Sequence, residues 1–237
     1  MELWTQIKDN VWFLLVCGII AASLFLLAKL AQCFLPEKRT ISPARRVSIV
    51  GICAAIATVL HLIDFPLPFL APPFYKLDFS ELPVMLCGFY LGPTATVVCE
   101  AIKVILKLLF KGTSTAFVGD FANFVVGCSL VLPATVIYHI KKTKGFALLG
   151  LGVGTAVLTV FGSAFNAFYL LPKFAQLYGM PLETIIAMGS KINGSVTDIT
   201  TFVLLCVAPL NLVKGFSVSL LTLLLYKRVE KVLFRNQ

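Results

Sequence analysis

The sequence predicts an all-α polytopic membrane protein, and three observations carry that prediction. Apolar residues make up 59% of the 237 positions against 13% charged, a balance far from that of soluble domains. The apolar residues fall in runs close to the ~20 residues that a bilayer-crossing helix needs, enough for about six or seven spans, with no length left for a second, soluble domain. The basic residues sit between those runs. Lys38, Arg39, Arg45 and Arg46 form one group, Lys141, Lys142 and Lys144 a second, and Lys227, Arg228, Lys231 and Arg235 a third. They do not line one polar face, so the formal charge of +9 does not point to nucleic acid. The positive-inside rule places these loops in the cytoplasm.

The first apolar run, 12–27, continues past Lys29 to Leu35. Its flank carries one lysine offset by Glu2 and Asp9, and neither Cys17 nor Cys33 follows the small residue a lipid-attachment site needs, so it reads as a retained span. Residues 47–63 form the second span, leading out to His61 and Asp64. The next segment, 65–79, holds four prolines and several aromatics, which excludes regular helix and predicts an ordered outer loop. Ser80 suits an N-cap, with Glu81 beside it to complement the helix dipole. That helix is short, because Gly92-Pro93 breaks it after Leu91. A further helix runs over 93–110, with an outer turn at 111–115. Residues 116–138 return inward and 146–171 go out again.

The stretch 172–208 scatters Lys173, Glu183, Lys191 and Asp198 among apolar residues and reads as a long outer loop. Pro209 suits the first turn of a helix, so the last span is 209–228 and the C-terminus is cytoplasmic. This choice puts Asn211 and Lys214 in the first turns of that helix, near the outer surface. A start near Val196 would instead bury Lys214 deep in the membrane.

Polar residues inside a membrane are costly and therefore suggest function, and here they gather on the outer side. Asp120 and Asn123 open one helix, Asn166 lies near the outer end of another, and Asp78 ends the proline-rich loop. Asn211 and Lys214 are three residues apart and share a helix face. Two amides and a cation can read a neutral ligand rich in hydrogen-bonding groups, while nearby aromatics offer flat apolar contact. Glu100, Lys103 and Lys107 share one face by their spacing and are read as pairing with one another, with a proton relay as the other reading. His61 and His139 fall at helix ends and read as interfacial. Gly51 with Ala55, Ala54 with Thr58, and Gly150 with Gly154 are spaced by four, which suits close helix contact, either with a partner or within the bundle. The seven cysteines show no CxxC spacing, so neither disulfides nor a metal site is expected.

Several segments, in order along residues 45–228, resemble the riboflavin-specific substrate-binding subunits (S components) of energy-coupling factor (ECF) vitamin transporters. They are Leu77-Asp78-Phe79-Ser80-Glu81-Leu82-Pro83, Gly88-Phe89-Tyr90-Leu91-Gly92-Pro93, Gly112-Thr113-Ser114, Ala122-Asn123-Phe124 and Pro209-Leu210-Asn211-Leu212-Val213-Lys214-Gly215. The resemblance implies a six-helix membrane domain over 45–237, preceded here by an extra N-terminal transmembrane helix and basic linker over 1–44. It implies Asn166, Asn211 and Lys214 as contacts to the flavin ring, with Asp78 and Asn123 as further contacts and the loop ending at Asp78 as a cover. It also implies partners: a membrane coupling subunit, docked through small residues that Gly51 and Ala55 match approximately, and two ATPase subunits. Riboflavin would be cargo within a cell-membrane protein surrounded by lipid, and no cofactor is expected.

The residues agree on one point independently: no Gly-x-x-x-x-Gly-Lys-[Ser/Thr] motif is present, so ATP hydrolysis would have to come from partner chains and the chain itself is not read as an enzyme. Two other readings stay open. One is the same architecture serving pantothenate, folate or thiamin; the other is an ion-coupled secondary transporter built on Glu100, Lys103 or Asp120. A membrane enzyme is disfavoured by the lack of an HExxH or Gly-x-Ser-x-Gly motif.

Overall fold

The structure, a computed structural model, describes residues 11–35 and 41–234. Lys38, Arg39 and Arg235 of the basic groups lie outside the described residues, as do Glu2, Lys8 and Asp9. Helices α1 (Val11–Phe34) and α2 (Pro43–Leu62) are apolar rods. Ser42 caps α2 by accepting the Arg45 N–H, and Pro43 occupies the first turn, where its missing N–H costs nothing. The prolines that follow deny helix, and a two-residue antiparallel ladder orders the loop instead: β1 (Phe65–Pro66) pairs with β2 (Lys76–Leu77), Phe65 opposite Leu77.

Helix α3 (Glu81–Leu91) is buried along almost its whole length. It ends at Gly92, whose φ of +98° favours glycine, and Pro93 opens α4 (Pro93–Lys111) directly. Helices α5 (Val118–Ile140) and α6 (Lys144–Phe165) pack along each other. A Cβ on Gly150 would come 2.6 Å from the Ala134 carbonyl oxygen, so Gly150 and its neighbour Gly154 serve contact inside the bundle. Ala54 and Thr58 are likewise buried, whereas Gly51 and Ala55 are exposed on α2.

The expected loop over 172–208 and the expected helix start at Pro209 are both corrected. Helix α6 runs through a π turn at Asn166–Leu170 into α7 (Leu171–Tyr178) as one rod. Helix α8 (Leu182–Ser190) follows. Asp198 and Thr201 then form a capping box that starts the last rod, made of α9 (Ile199–Phe202), a π turn at Val203–Val207 and α10 (Ala208–Phe234).

Proline breaks a regular helix because it lacks an N–H and its ring clashes with the carbonyl four residues back. Here the turn ahead of each proline is widened: the Leu171 N–H reaches the Asn166 carbonyl and the Ala208 N–H that of Val203, five residues back. Pro172 and Pro209 are thereby carried inside continuous rods.

Five helices among the described residues are long and apolar enough to cross a membrane: Leu15–Phe34, Pro43–Leu62, Val118–Ile140, Lys144–Tyr178 and Ile199–Tyr226. Among the described residues after 41, α2, the short α3, the charge-bearing α4, α5, the α6–α7 rod and the α9–α10 rod make six rods, with the short α8 between the last two, and α1 packs against α4 and α5. The proline-rich loop lies at one end of the bundle, and Arg46 and Lys142 lie at the other. At that basic end Phe89 stacks on Tyr138 at 4.3 Å, and the hydroxyls of Tyr138 and Tyr226 are hydrogen-bonded to each other.

Candidate ligand-binding site

A cavity of about 420 Å³ opens at the loop end, and Asp78, Asn123, Asn166, Asn211 and Lys214 all line it. Its size falls within the ~300–1,000 Å³ of small-molecule sites. The two π turns help to shape it, for they pack against each other and set Asn166 and Asn211 on facing rods.

Asn166 is the first residue of its π turn. Its amide nitrogen donates to the Gly162 carbonyl at 2.7 Å, and its amide oxygen accepts the Tyr75 hydroxyl at 2.6 Å. Tyr75 stands in the proline-rich loop between Phe74 and Phe202, with ring centroids 4.7 Å and 6.3 Å away. Burial pushes the Tyr75 hydroxyl well above the usual phenol range, so it remains a donor. The loop thus sets which edge of the Asn166 amide donates and which accepts.

Asn211 approaches the same stretch of α6. A Cβ on Gly162 would come 2.7 Å from the Asn211 amide nitrogen, so glycine at 162 makes room for this amide. Among the described residues that nitrogen is buried without a hydrogen-bond partner, as are one oxygen each of Asn123 and Asp120. Buried polar atoms are seldom left unpaired. All three atoms belong to residues that line the cavity, so a ligand that draws these side chains toward it can pair one donor and two acceptors.

Beside the cavity runs a ladder of buried charges. Lys214 on α10 lies 3.4 Å from Asp78 and 2.9 Å from Glu81, and Lys103 on α4 lies 3.4 Å from Glu81 and 2.5 Å from Glu100. Lys103, Glu81 and Glu100 are wholly buried, which in a membrane is tolerable only because each charge faces an opposite one. His61 adds a contact to Asp78 at 3.4 Å. Burial by itself would raise the Asp78 carboxyl; the Lys214 ammonium, a hydrogen bond with His61 and the charge of Lys103 outweigh it and hold the group well below the usual carboxylate range.

The ladder corrects three expectations. Ser80 makes no side-chain cap; its hydroxyl accepts from Lys103 at 3.0 Å, and its backbone N–H donates to Asp78. Lys107 does not join Glu100 but pairs with Asp120 across to α5 at 2.5 Å. Lys214 does not sit in the first turns of its rod but about four turns in, with its ammonium covered by Asp78 and Glu81. A long rod thus buries this lysine, as the alternative start would, and the two carboxylates make that burial tolerable.

A family model described as ECF transporter, substrate-specific component, matches residues 45–226. The chain belongs to that family. Among its relatives is the riboflavin transporter RibU of Staphylococcus aureus (strain TCH60), 35% identical over 84% of this chain and 97% of that protein. The riboflavin transporter FmnP of Bacillus subtilis (strain 168) is 29% identical over 78% of this chain and 92% of its own length. A solved S component of a bacterial ECF transporter is 35% identical, with a TM-score of 0.63 over 82% of this chain and 100% of that one.

Within this S component, sequence reasoning misses Tyr75, His61, Glu81 and Gly162 as parts of the site. Glu81 has a signal, since an acid early in α3 faces two lysines elsewhere in the chain, but the same residue also suits the helix dipole. Tyr75 and Gly162 have none, because each matters through a residue far away in sequence. Helix α1 lies before the matched residues, and among its described residues none belongs to the cavity lining. Gly51 and Ala55 lie away from the cavity on an α2 surface with Ile52 and Ile56, both at least half exposed; nothing stands within 4 Å of a Cβ at Gly51.

Proposed function

We propose that this S component captures riboflavin from outside the cell and delivers it when a membrane coupling subunit and two ATPase subunits drive the bundle. The observation that carries the reading is the set of unpaired polar atoms on residues that line the cavity: the Asn211 amide nitrogen as donor and the Asn123 and Asp120 oxygens as acceptors. A flavin ring presents carbonyl oxygens to such a donor, and its imide N–H and ribityl hydroxyls suit such acceptors. Phe74, Tyr75, Phe174 and Tyr178 supply flat apolar area along the same lining. The names of the S. aureus and B. subtilis relatives support the same cargo.

In this reading Asn166, Asn211 and Lys214 meet the ring, and Asp78 and Asn123 complete the contacts. Lys214 is already paired with Asp78 at the end of the loop, so a ligand that approaches its ammonium also acts on the loop that covers the site. The cavity faces outward, the C-terminus is cytoplasmic, and the exposed small residues Gly51 and Ala55 meet the coupling subunit. Riboflavin is cargo; no resident cofactor takes part, and ATP is hydrolysed on the partner chains.

Titration of the detergent-purified chain with riboflavin, followed by flavin fluorescence, tests the reading. Saturable quenching that weakens in both Asn211→Ala and Lys214→Ala is expected. Folded wild type that leaves riboflavin fluorescence unchanged would overturn it.

A further inference from the structure

One pair of buried charges at the ligand cavity stands apart from the ladder. Lys107 lies one turn beyond Lys103 on α4, yet its ammonium crosses to Asp120 of α5 at 2.5 Å. The same ammonium donates to the Gly112 carbonyl oxygen at 3.0 Å, where α4 ends. Both side chains belong to the cavity lining, Lys107 15% and Asp120 5% exposed.

The pair fastens a turn that the backbone resists. Between α4 and α5, Gly112 has a φ of +68°, and Ala116 and Phe117, which carry side chains, have +45° and +69°. Such conformations persist only where the surroundings fix them. Here the Thr113 hydroxyl accepts the Thr115 and Phe117 N–H groups, the Thr115 hydroxyl accepts the Gly119 N–H, and Lys107 holds Gly112. A Cβ on Gly119 would come 2.8 Å from the Thr115 hydroxyl oxygen, so glycine admits that contact. Ser114, Thr115 and Gly119 line the cavity beside the pair.

This end of the cavity is not the end of Asn211. Asp120, Asn123 and Val126 follow one another at three-residue steps along α5, and the Val126 and Asn211 side chains both stand against Gly162. At 1.5 Å per residue, Asp120 lies about 9 Å further along the helix axis, at the turn. A ligand that spans the cavity therefore puts one part among Asn166 and Asn211 and another beside Lys107. An ammonium has three N–H groups and a carboxylate two oxygens. Among the described residues Lys107 uses two of its N–H groups, and the second Asp120 oxygen has no partner. A spare donor beside a spare acceptor, with no net charge, matches hydroxyl groups, each of which both donates and accepts. A hydroxylated chain that draws the two side chains toward it can use both at once.

We propose that Lys107 is a specificity-determining residue for the polyol tail of the ligand. By pairing with Asp120 and fastening the turn at 112–117, it presents a neutral donor–acceptor pair that a flavin ring without hydroxyls cannot use. The proposal rests on the riboflavin reading above, whose ribityl chain is such a tail, and adds which part of the ligand this end of the cavity recognises.

The test titrates the full chain in detergent with riboflavin and with lumiflavin, which has the same ring and a methyl group in place of the ribityl chain, and follows flavin fluorescence. Wild type should bind riboflavin the more tightly. Lys107→Met should raise the riboflavin Kd about tenfold, the scale of one hydrogen bond to a charged group, and leave the lumiflavin Kd unchanged. Because Lys107→Met alone strands the Asp120 carboxylate, the double variant Lys107→Met with Asp120→Leu, which leaves no charge unpaired there, is measured beside it and should lose the same selectivity. Equal weakening of both flavins would make Lys107 a purely structural residue and overturn the proposal, as would an unchanged gap between them. Wild type that binds both flavins equally tightly overturns this inference alone. Wild type that binds neither overturns the riboflavin reading, and this inference with it.

Discussion

Gly162→Ala isolates the geometry of the ligand site from the stability of the fold. The added Cβ would stand 2.7 Å from the Asn211 amide nitrogen, with Val126 the next neighbour at 3.6 Å. Ordinary contact needs about 3.5 Å or more, so the amide has to retreat by roughly 0.8 Å. It is the free end of a side chain, so it can swing away at little cost to packing. A hydrogen bond of about 2.9 Å from this nitrogen to a ligand carbonyl would stretch to roughly 3.7 Å, beyond hydrogen-bonding distance. Losing a bond that leaves a buried partner unpaired costs about 1–3 kcal/mol, which corresponds to a riboflavin Kd raised roughly 5- to 150-fold. Fluorescence titration and thermal unfolding on one preparation read the two effects apart. An unchanged Kd would place the Asn211 amide away from the ligand. A large fall in the unfolding midpoint would show that Gly162 serves helix packing first.

The other contacts around the site carry predictions of their own. Tyr75→Phe removes the donor that orients Asn166; it should weaken riboflavin binding by about 0.5–1.5 kcal/mol and narrow the affinity gap between riboflavin and an analogue with an altered ring edge, and an unchanged gap would deny Tyr75 this role. Lys103→Met strands Glu81 and Glu100 and should destabilise by about 3–5 kcal/mol, with part of the loss recovered on adding Glu100→Gln; additive losses in chemical unfolding would count against the ladder. The Asp78 carboxyl is held below its unfolded value, so its contribution is present above about pH 4 and is lost as pH falls through the lower, folded value. The midpoint difference between wild type and Asp78→Asn should therefore be level from about pH 8 to 5 and shrink below about pH 4; shrinkage that begins near about pH 6 would assign the effect to another group.

What is legible in this chain is what local chemistry writes. Apolar length announces the rods of α1, α2 and α5, the proline-rich segment announces the loop, and Gly92-Pro93 announces the break between α3 and α4. The five site residues stand out as polar side chains in apolar surroundings, sharpened by a family resemblance, and the structure brings all five to one cavity. Local rules misplace the helix ends at 171 and 209 because they treat proline as a breaker, whereas a widened turn ahead of each proline lets the rod continue. Pairing along α4 escapes them for a related reason. Spacing shows which side chains can meet on one helix, not which neighbouring helix offers a better partner, and Lys107 finds Asp120 on α5.

By itself, the sequence determined that this chain lives in a membrane, where most of its rods cross and which polar residues are too costly there to lack a purpose, because hydrophobic transfer and proline sterics act residue by residue. Only the tertiary structure decided that Lys214 reaches Asp78 and Glu81, that Tyr75 orients Asn166 and that Gly162 makes room for Asn211, because each of these contacts joins segments remote in sequence whose approach depends on how the rods pack.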